Sequence, residues 1–135
     1  MPLLVDTGVV YALADRRDAW HARVRRYVRS HPDTLLAPVT ILAEVAYLLR
    51  DRIGGKAERM FAESVNTGEV AIEPLAARDL MRAVELMRIY GWLGLVDATV
   101  VAMAERLKMS VVATTDRRHF GVVRPAHVER FTLVP

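Results

Sequence analysis

The chain has 135 residues, of which 53% are hydrophobic, and its net charge at pH 7 is +3. This length suits one domain with a real core and is short for two, and the apolar content argues against disorder. Cysteine is absent, so a disulfide scaffold and a thiolate zinc site are excluded. The mild positive charge is compatible with a polyanionic partner but is far below that of a protein that coats DNA.

The apolar segments are too short for membrane insertion. None approaches the roughly 20 residues that a membrane-spanning helix requires. Arg16, Arg17 and Asp18 interrupt the N-terminal region before a signal peptide could form. We therefore expect a cytoplasmic protein that has no contact with a membrane.

Short apolar runs alternate with longer helical patterns along the whole chain. The predicted strands are Pro2–Asp6, Leu35–Ala37, Val70–Ile72, Val111–Ala113 and Phe131–Val134. The main predicted helices are Thr7–Ala14, a segment capped by Asp18 that runs to Ser30, Val39–Arg52, Lys56–Val65, Leu75–Tyr90 and Asp97–Leu107. About five strands and seven helices are implied in all. This alternation predicts a single three-layer α/β/α domain over residues 1–135, with a short, mainly parallel sheet and right-handed crossovers.

Two of the predicted strands end at an aspartate. Asp6 follows the first, and Asp116 follows Val111–Ala113 after two threonines. Ligands of parallel sheets bind outside the carboxyl ends of the strands, so we expect the two carboxylates to share that edge. Each aspartate is also well placed to cap the helix that follows it. The two roles are compatible, because a capping carboxylate keeps a second oxygen.

Two further acids lie in unusually apolar helices. Glu44 is the only ionisable carboxylate or base between Val39 and Leu49, and it shares one helical stripe with Thr40 and Tyr47. That stripe faces either solvent or a polar cleft, and its single charge favours the cleft. Asp97 begins a helix that is apolar through Ala104, which predicts a helix packed nearly all round. An N-cap is the alternative role for Asp97.

Four carboxylates at one edge of a sheet predict a site for a divalent cation. Carboxylates supply the hard oxygen ligands that Mg²⁺ prefers, and they leave water molecules on the ion. Such an ion makes water nucleophilic near neutral pH and stabilises the developing negative charge. Several acids crowded into one cleft without a cation repel one another, so proteins tolerate the arrangement mainly where it is used.

The ordered set of acidic motifs resembles PIN-domain ribonucleases, in particular the VapC toxins of bacterial and archaeal toxin–antitoxin pairs. The motifs are Leu4-Val5-Asp6-Thr7, Glu44 in its apolar helix, Asp97-Ala98-Thr99-Val100-Val101-Ala102-Met103-Ala104, and Thr114-Thr115-Asp116-x-x-His119-Phe120. No single motif is specific, but their order, spacing and the chain length agree with the family. The resemblance spans essentially the whole chain.

This resemblance implies a Mg²⁺- or Mn²⁺-dependent endoribonuclease that acts on RNA, pairs with an antitoxin protein and forms a homodimer. The implied catalytic and metal-binding acids are Asp6, Glu44, Asp97 and Asp116. Thr7 and Thr115 match positions beside the site where the family often has Ser or Thr. Val101 stands where some relatives carry another acid or Asn, which leaves full occupancy of a second metal site open.

The three residues that directly follow Asp116 are further candidates for the functional site. Arg117 and Arg118 directly follow Asp116 and are candidate contacts to the RNA backbone, with a solvated surface as the alternative. His119 lies one turn after Asp116; its two possible roles are a contact near the phosphate and a helix-surface position, and we favour the second.

The apolar segment Met81–Trp92 is compatible with a dimer surface, and core packing is its alternative.

Two other functions compete with this interpretation. An aspartate-based phosphatase would use Asp6 as nucleophile, but Gly8 occupies the place of the usual second acid. The only lysines, Lys56 and Lys108, do not stand at a strand end. The second competitor is a catalytically inactive module that keeps the fold and binds RNA or a protein.

Overall fold

The computed structural model describes residues 1–135 and contains seven helices and a five-stranded sheet that is parallel throughout. The strands are β1 (Leu3–Val5), β2 (Leu35–Pro38), β3 (Val70–Glu73), β4 (Val111–Ala113) and β5 (Thr132–Val134). The helices are α1 (Thr7–Ala14), α2 (His21–Ser30), α3 (Val39–Arg52), α4 (Gly55–Thr67), α5 (Ala77–Ile89), α6 (Leu95–Leu107) and α7 (Arg117–Val122). The predicted three-layer α/β/α architecture is confirmed.

The sheet places β1 at its centre, in the order β3-β2-β1-β4-β5. Leu4 is in register with Leu36 of β2 on one side and with Val112 of β4 on the other. The connections on the two sides of β1 therefore diverge at its carboxyl end, which is where open parallel sheets bind ligands. The backbone N–H of Asp6 donates to the carbonyl of Ala113 at 3.1 Å and continues the pairing past the end of β1.

The core forms around the central strands and α6. All three residues of β1 are buried, as is every residue of α6 from Ala98 to Glu105. The prediction that this helix is packed nearly all round is thus confirmed. Its apolar residues fix the first turn of α6 against the carboxyl edge of the sheet, because a helix buried on all sides has little freedom to shift.

Two predicted helix starts differ from the structure. The N-cap of α2 is Trp20, and Asp18 instead accepts a 2.8 Å hydrogen bond from the backbone N–H of Trp20 and closes the turn before the helix. Helix α6 begins two residues earlier than predicted, at Leu95, because the extended backbone of Gly94 serves as its N-cap. Asp97 therefore lies within the first turn rather than at the cap.

Ion pairs join α5 to α6. Arg106 of α6 contacts Asp79 at 2.8 Å and Glu73 at 3.0 Å, and Arg82 of α5 contacts Glu105 at 2.9 Å. Burial opposes ionisation of Asp79, but hydrogen bonds from Arg106 and a backbone N–H hold its pKa below the usual value. These pairs fix the two helices that flank the turn containing Trp92.

Helix α5 keeps part of its apolar surface outside the core. Its buried positions are Asp79, Ala83 and Leu86. Leu80, Met81 and Val84 are exposed, and we call these three side chains the α5 apolar patch. None of the helices combines the length and the apolar character needed to cross a membrane.

Candidate metal centre

The carboxylate of Asp6 is buried at the end of β1, and each of its two oxygens accepts a hydrogen bond. Its side chain is the N-cap of α1, where Oδ1 accepts from the backbone N–H of Val9 at 2.9 Å. Oδ2 accepts from the hydroxyl of Thr114, whose oxygen also accepts from the backbone N–H of Asp116 at 2.8 Å. Thr114 thus connects the first and last acids. It is completely buried, and it was not among the predicted site residues.

The other strand-end acid lies beside a histidine and the acid of α6. Asp116 is the N-cap of α7, with Oδ1 accepting from the backbone N–H of His119 at 3.0 Å and Oδ2 at 2.8 Å from His119 Nδ1. The side chain of Asp97 makes no cap hydrogen bond. Ligand atoms of Asp97, Asp116 and His119 all lie within 4.8 Å of one another. The structure thus brings His119, expected at the helix surface, into the site.

Asp6 and Glu44 border this three-residue group without belonging to it. The oxygens of Asp6 are directed at Thr114 and Val9, and Glu44 is exposed on α3. Glu44 is near enough to Asp97 for its charge to raise the pKa of that carboxyl. Thr40, one turn before Glu44, joins α3 to α6 through a 2.7 Å hydrogen bond to Thr99. Tyr47, at the other end of the predicted stripe, faces solvent.

The two candidate supporting threonines occupy different environments. The hydroxyl of Thr7 is buried beside Asp6 and has no hydrogen-bond partner within the protein. Thr115 packs over Gly8, where a Cβ atom would come within 2.2 Å of the threonine oxygen. Glycine at this position therefore permits the close approach of the two strand-end loops.

Burial and like charge both disfavour ionisation at this site. Burial raises the pKa of Asp6 to about 6, against hydrogen bonds from Thr114 and Val9, and the charges of Asp97 and Asp116 raise it further. Burial, followed by the charges of Asp116 and Glu44, also raises the pKa of Asp97. A bound cation relieves both effects. The carboxylate oxygens, one imidazole and the unpartnered Thr7 hydroxyl form a donor set that fits a divalent ion.

The same geometry does not favour an aspartate-based phosphatase. Asp6 is buried and each of its oxygens already accepts a hydrogen bond, so a phosphoryl group has poor access to it. Lys56 lies in the first turn of α4, and Lys108 is the C-cap of α6. Neither lysine stands at the carboxyl end of a strand, so a phosphate at Asp6 would lack the expected cation.

This combination of fold and acidic site is that of the PIN domain, and residues 3–124 match its family model. The chain belongs to the PIN-domain family. Ribonuclease VapC26 of Mycobacterium tuberculosis is 30% identical to it over 135 residues, which cover 98% of this chain and 100% of the relative.

Solved structures agree with the family assignment. VapC20 of Mycobacterium tuberculosis, described as a toxin that cleaves the sarcin–ricin loop, superposes with a TM-score of 0.79 at 25% identity, over 94% of this chain and 98% of that one. VapBC2 of Rickettsia felis, solved bound to a DNA fragment from its promoter, gives a TM-score of 0.71 over the whole of both chains. At 13% identity, the latter shows the shared fold alone.

We expect Asp6→Asn to stabilise the cation-free protein at neutral pH. The folded pKa of Asp6 is raised from 3.8 to about 6. The protonated form is therefore favoured in the fold, and its contribution to stability is complete below the unfolded pKa and is lost as pH rises through the folded one. The loss amounts to about 3 kcal/mol, and Asn, which caps about as well as Asp, avoids it.

Urea unfolding in chelator from about pH 4 to about pH 7.5 measures this difference across the window between the two pKa values. Glu63→Gln, an exposed change on α4, provides the control and should follow the wild type. If the free energy of unfolding changed with pH in the same way in the wild type and in Asp6→Asn, burial would not oppose ionisation of Asp6.

Proposed function

We propose that this chain is a Mg²⁺- or Mn²⁺-dependent endoribonuclease of the cytoplasm, acting as the toxin of a VapBC-type toxin–antitoxin pair. The observation that carries the proposal is the approach of Asp97, Asp116 and His119 within 4.8 Å, beside the buried Asp6 and at the carboxyl edge of the sheet. The PIN-domain match and the 30% identity to Ribonuclease VapC26 support the same reaction class.

In this proposal, the acids divide the work of holding the cation and handling the water. Asp6, Asp97 and Asp116 would hold the divalent ion, directly or through water, and Glu44 would act from the exposed side as a ligand or by orienting the attacking water. When bound, the ion lowers the pKa of water and neutralises charge on the phosphate. Thr114 keeps the Asp6 carboxylate in place, since it donates to Oδ2.

The bond changes define the product. The water oxygen bonds to phosphorus, and the bond from phosphorus to the ribose 3′ oxygen breaks. The attacking water's proton passes to a carboxylate such as that of Glu44, and the leaving 3′ oxygen takes up a proton from a solvent water. The fragments carry a 5′-phosphate and a 3′-hydroxyl. The hydroxyls of Thr7 and Thr115 border the site and are available to hydrogen-bond the phosphate or its water.

The arginines after Asp116 supply positive charge at the rim. Arg117 and Arg118 are both exposed at the start of α7. Arg117 also donates to the carbonyl of Pro135 and lies over the ring of Trp20, so Arg118 is the freer of the two. We propose that both contact the RNA backbone, where each phosphate contact contributes about −0.7 to the logarithmic salt slope of single-strand binding.

We expect Asp97→Asn and Asp116→Asn each to lower RNA cleavage at least about a hundredfold, since loss of a group that merely supports a ligand already costs 10- to 100-fold. Gel analysis of a labelled RNA with Mg²⁺, Mn²⁺ or chelator measures the effect, and 5′-phosphate ends distinguish it from contaminating nucleases that leave cyclic phosphates. Glu63→Gln should cleave like the wild type. Full activity in excess chelator would refute metal dependence.

Melting temperatures separate loss of the cation from loss of the fold. Mg²⁺ at a hundred times its dissociation constant should stabilise the wild type by about 2.7 kcal/mol. Neither Asn variant should melt below the wild type in chelator, because each removes a like charge from the site, and both should lose most of the gain from Mg²⁺. RNA binding without any cleavage, in a wild type indifferent to Mg²⁺ and Mn²⁺, would indicate an inactive binding module instead.

We further propose that an antitoxin partner covers the acidic site and that a basic side chain of that partner competes with the cation. Expression of the chain alone should arrest bacterial growth, because uncontrolled RNA cleavage is harmful. Asp6→Asn should relieve the arrest, as should co-expression of a protein encoded beside it. Colony counts after induction, with equal protein levels checked, measure this. Equal harmlessness of the wild type and Asp6→Asn would indicate a housekeeping nuclease or a binding module.

A homodimer is the expected assembly, and we propose that it forms through the α5 apolar patch. Met81 is 69% exposed beside Leu80 and Val84, and solvent contact with these side chains is unfavourable. Met81→Glu should shift the protein to a monomer in sedimentation equilibrium. Met60→Glu on α4, where the methionine is 58% exposed, is the matched control and should leave the dimer intact. A monomeric wild type would exclude this assembly.

A further inference from the structure

An exposed tryptophan, Trp92, stands beside the candidate metal centre, stacks on its histidine and has no part in the chemistry described above. Trp92 lies in the turn between α5 and α6 and is 45% exposed, although Leu93 next to it is buried. The Trp92 ring stacks on the imidazole of His119, with 4.8 Å between ring centroids and 26° between ring planes. His119 Nδ1 is 2.8 Å from Asp116 Oδ2. One side chain therefore separates Trp92 from the acidic group.

Hydrogen bonds hold the residues next to Trp92 and the backbone of His119. Tyr90, which packs against Trp92 at 5.6 Å, donates its N–H to Leu86 at 2.8 Å, and its hydroxyl accepts from the N–H of Arg124 at 2.9 Å. The N–H of Leu93 donates to the carbonyl of Tyr90 at 2.9 Å and closes the turn. His119 is held by the cap hydrogen bond of Asp116. The aromatic surface is thus preorganised, and little conformational entropy is lost when a flat ligand covers it.

The surroundings of the pair leave room for a ligand. Trp92 keeps 45% of its surface exposed, and a Cβ atom built on Gly91 or on Gly94 would meet no atom within 4 Å, so the backbone on either side of Trp92 is uncrowded. Asp116 and His119 remain partly exposed, at 37% and 41% of their side-chain surface. An apolar protein segment laid over the pair would desolvate these polar groups without replacing their contacts with water. A planar ligand attached to a phosphate avoids this desolvation cost, because its polar atoms can contact the same groups.

We propose that the Trp92–His119 pair is a stacking platform for an unpaired RNA base next to the cleaved phosphate. Stacking on an aromatic ring suits every base, because each base has a π-face, and it requires that the base has left its own helix. The adjoining phosphate then lies toward Asp116 and Asp97, while Arg118 of the same helix as His119 faces the strand from outside. The inference rests on the proposed ribonuclease activity and narrows its substrate to single-stranded or looped RNA.

Binding measurements test the platform separately from catalysis. In the Asp97→Asn background, which prevents cleavage, Trp92→Leu should weaken binding of a short unstructured oligoribonucleotide by roughly ten- to a hundredfold, and Trp92→Phe should retain most of the affinity. Val122→Ala removes exposed aliphatic surface from α7 and should bind normally. The salt slope should stay unchanged in Trp92→Leu but fall by about 0.7 in Arg118→Gln. Normal melting of each variant excludes misfolding.

Removal of single bases identifies the stacked position. With otherwise wild-type protein, an abasic nucleotide at one site beside the cleaved bond should lower kcat/KM about as much as Trp92→Leu does. The same abasic RNA should cause no further loss in Trp92→Leu, because both changes remove one interaction. Abasic sites elsewhere in the strand should have smaller effects that are equal in the two proteins.

Several results would overturn the platform. Unchanged binding and cleavage in Trp92→Leu would do so, as would an equal loss in Trp92→Phe or in Val122→Ala. Unaltered RNA affinity combined with failed neutralisation by the antitoxin would assign Trp92 to a protein interface. If the wild type binds RNA through Trp92 but never cleaves it, the ribonuclease proposal fails while the platform stands. If the wild type binds no RNA, both fail.

Discussion

The carboxylate of Asp6 is placed where the protein can least easily accommodate a charge, at the end of the central strand and almost out of contact with water. Hydrogen bonds from Thr114 and Val9 offset part of the desolvation, yet its pKa still rises to about 6. A buried charge that is only partly compensated destabilises the fold until a counter-charge arrives. The free energy withheld from folding is then recovered on cation binding, which links the stability of the protein to its proposed function.

The remaining acids have more contact with solvent than this buried residue, since Asp97 and Asp116 are partly buried and Glu44 is exposed. Asp97 is fixed by a helix that the core surrounds, whereas Asp116 caps a short helix at the surface and meets His119. The gradient separates tasks: the buried side of the site is rigid and holds its geometry, and the exposed side remains accessible to a large substrate. The ion pairs of Arg106 and Arg82 hold the α5–α6 turn and Trp92 to the same rigid frame.

The sequence predicts the sheet and the acids well because their signals are local. An apolar run that stops at Asp6 reports both a buried strand and its functional end, and the all-round apolar helix after Asp97 reports deep packing. The start of α6 was predicted two residues too late, because it depends on the backbone conformation of Gly94, which composition does not reveal. The apolar residues Leu80 and Val84 are four positions apart on α5, a helical spacing typical of a buried face, yet both are exposed. The face that is buried instead contains Asp79, whose carboxylate pairs with Arg106 of α6.

The polar details of the site depend on tertiary contacts and were therefore missed. Thr114 and Thr115 are adjacent and chemically identical, and only the direction of the chain after β4 decides that Thr114 meets Asp6. The place of His119 depends on its stacking with Trp92, which lies in a different turn of the chain. A polar residue just beyond a buried strand is a weak signal for a role like that of Thr114, and no local pattern marks the aromatic pair.

The hydrogen bond between Thr114 and Asp6 spans 108 positions, and this separation has a meaning for synthesis as well as for structure. Translation proceeds at about 5–20 residues per second, so several seconds or more pass between the appearance of β1 and that of its second partner strand, β4. During that interval, the first acid lacks its hydroxyl donor, Thr114, and the last acid of the site, Asp116. A ribosome that terminates before Thr114 releases a fragment that lacks part of the candidate metal centre. A nuclease of this kind would endanger the cell that produces it. Because Thr114 and Asp116 are synthesised near the end, only a nearly complete chain can assemble the site.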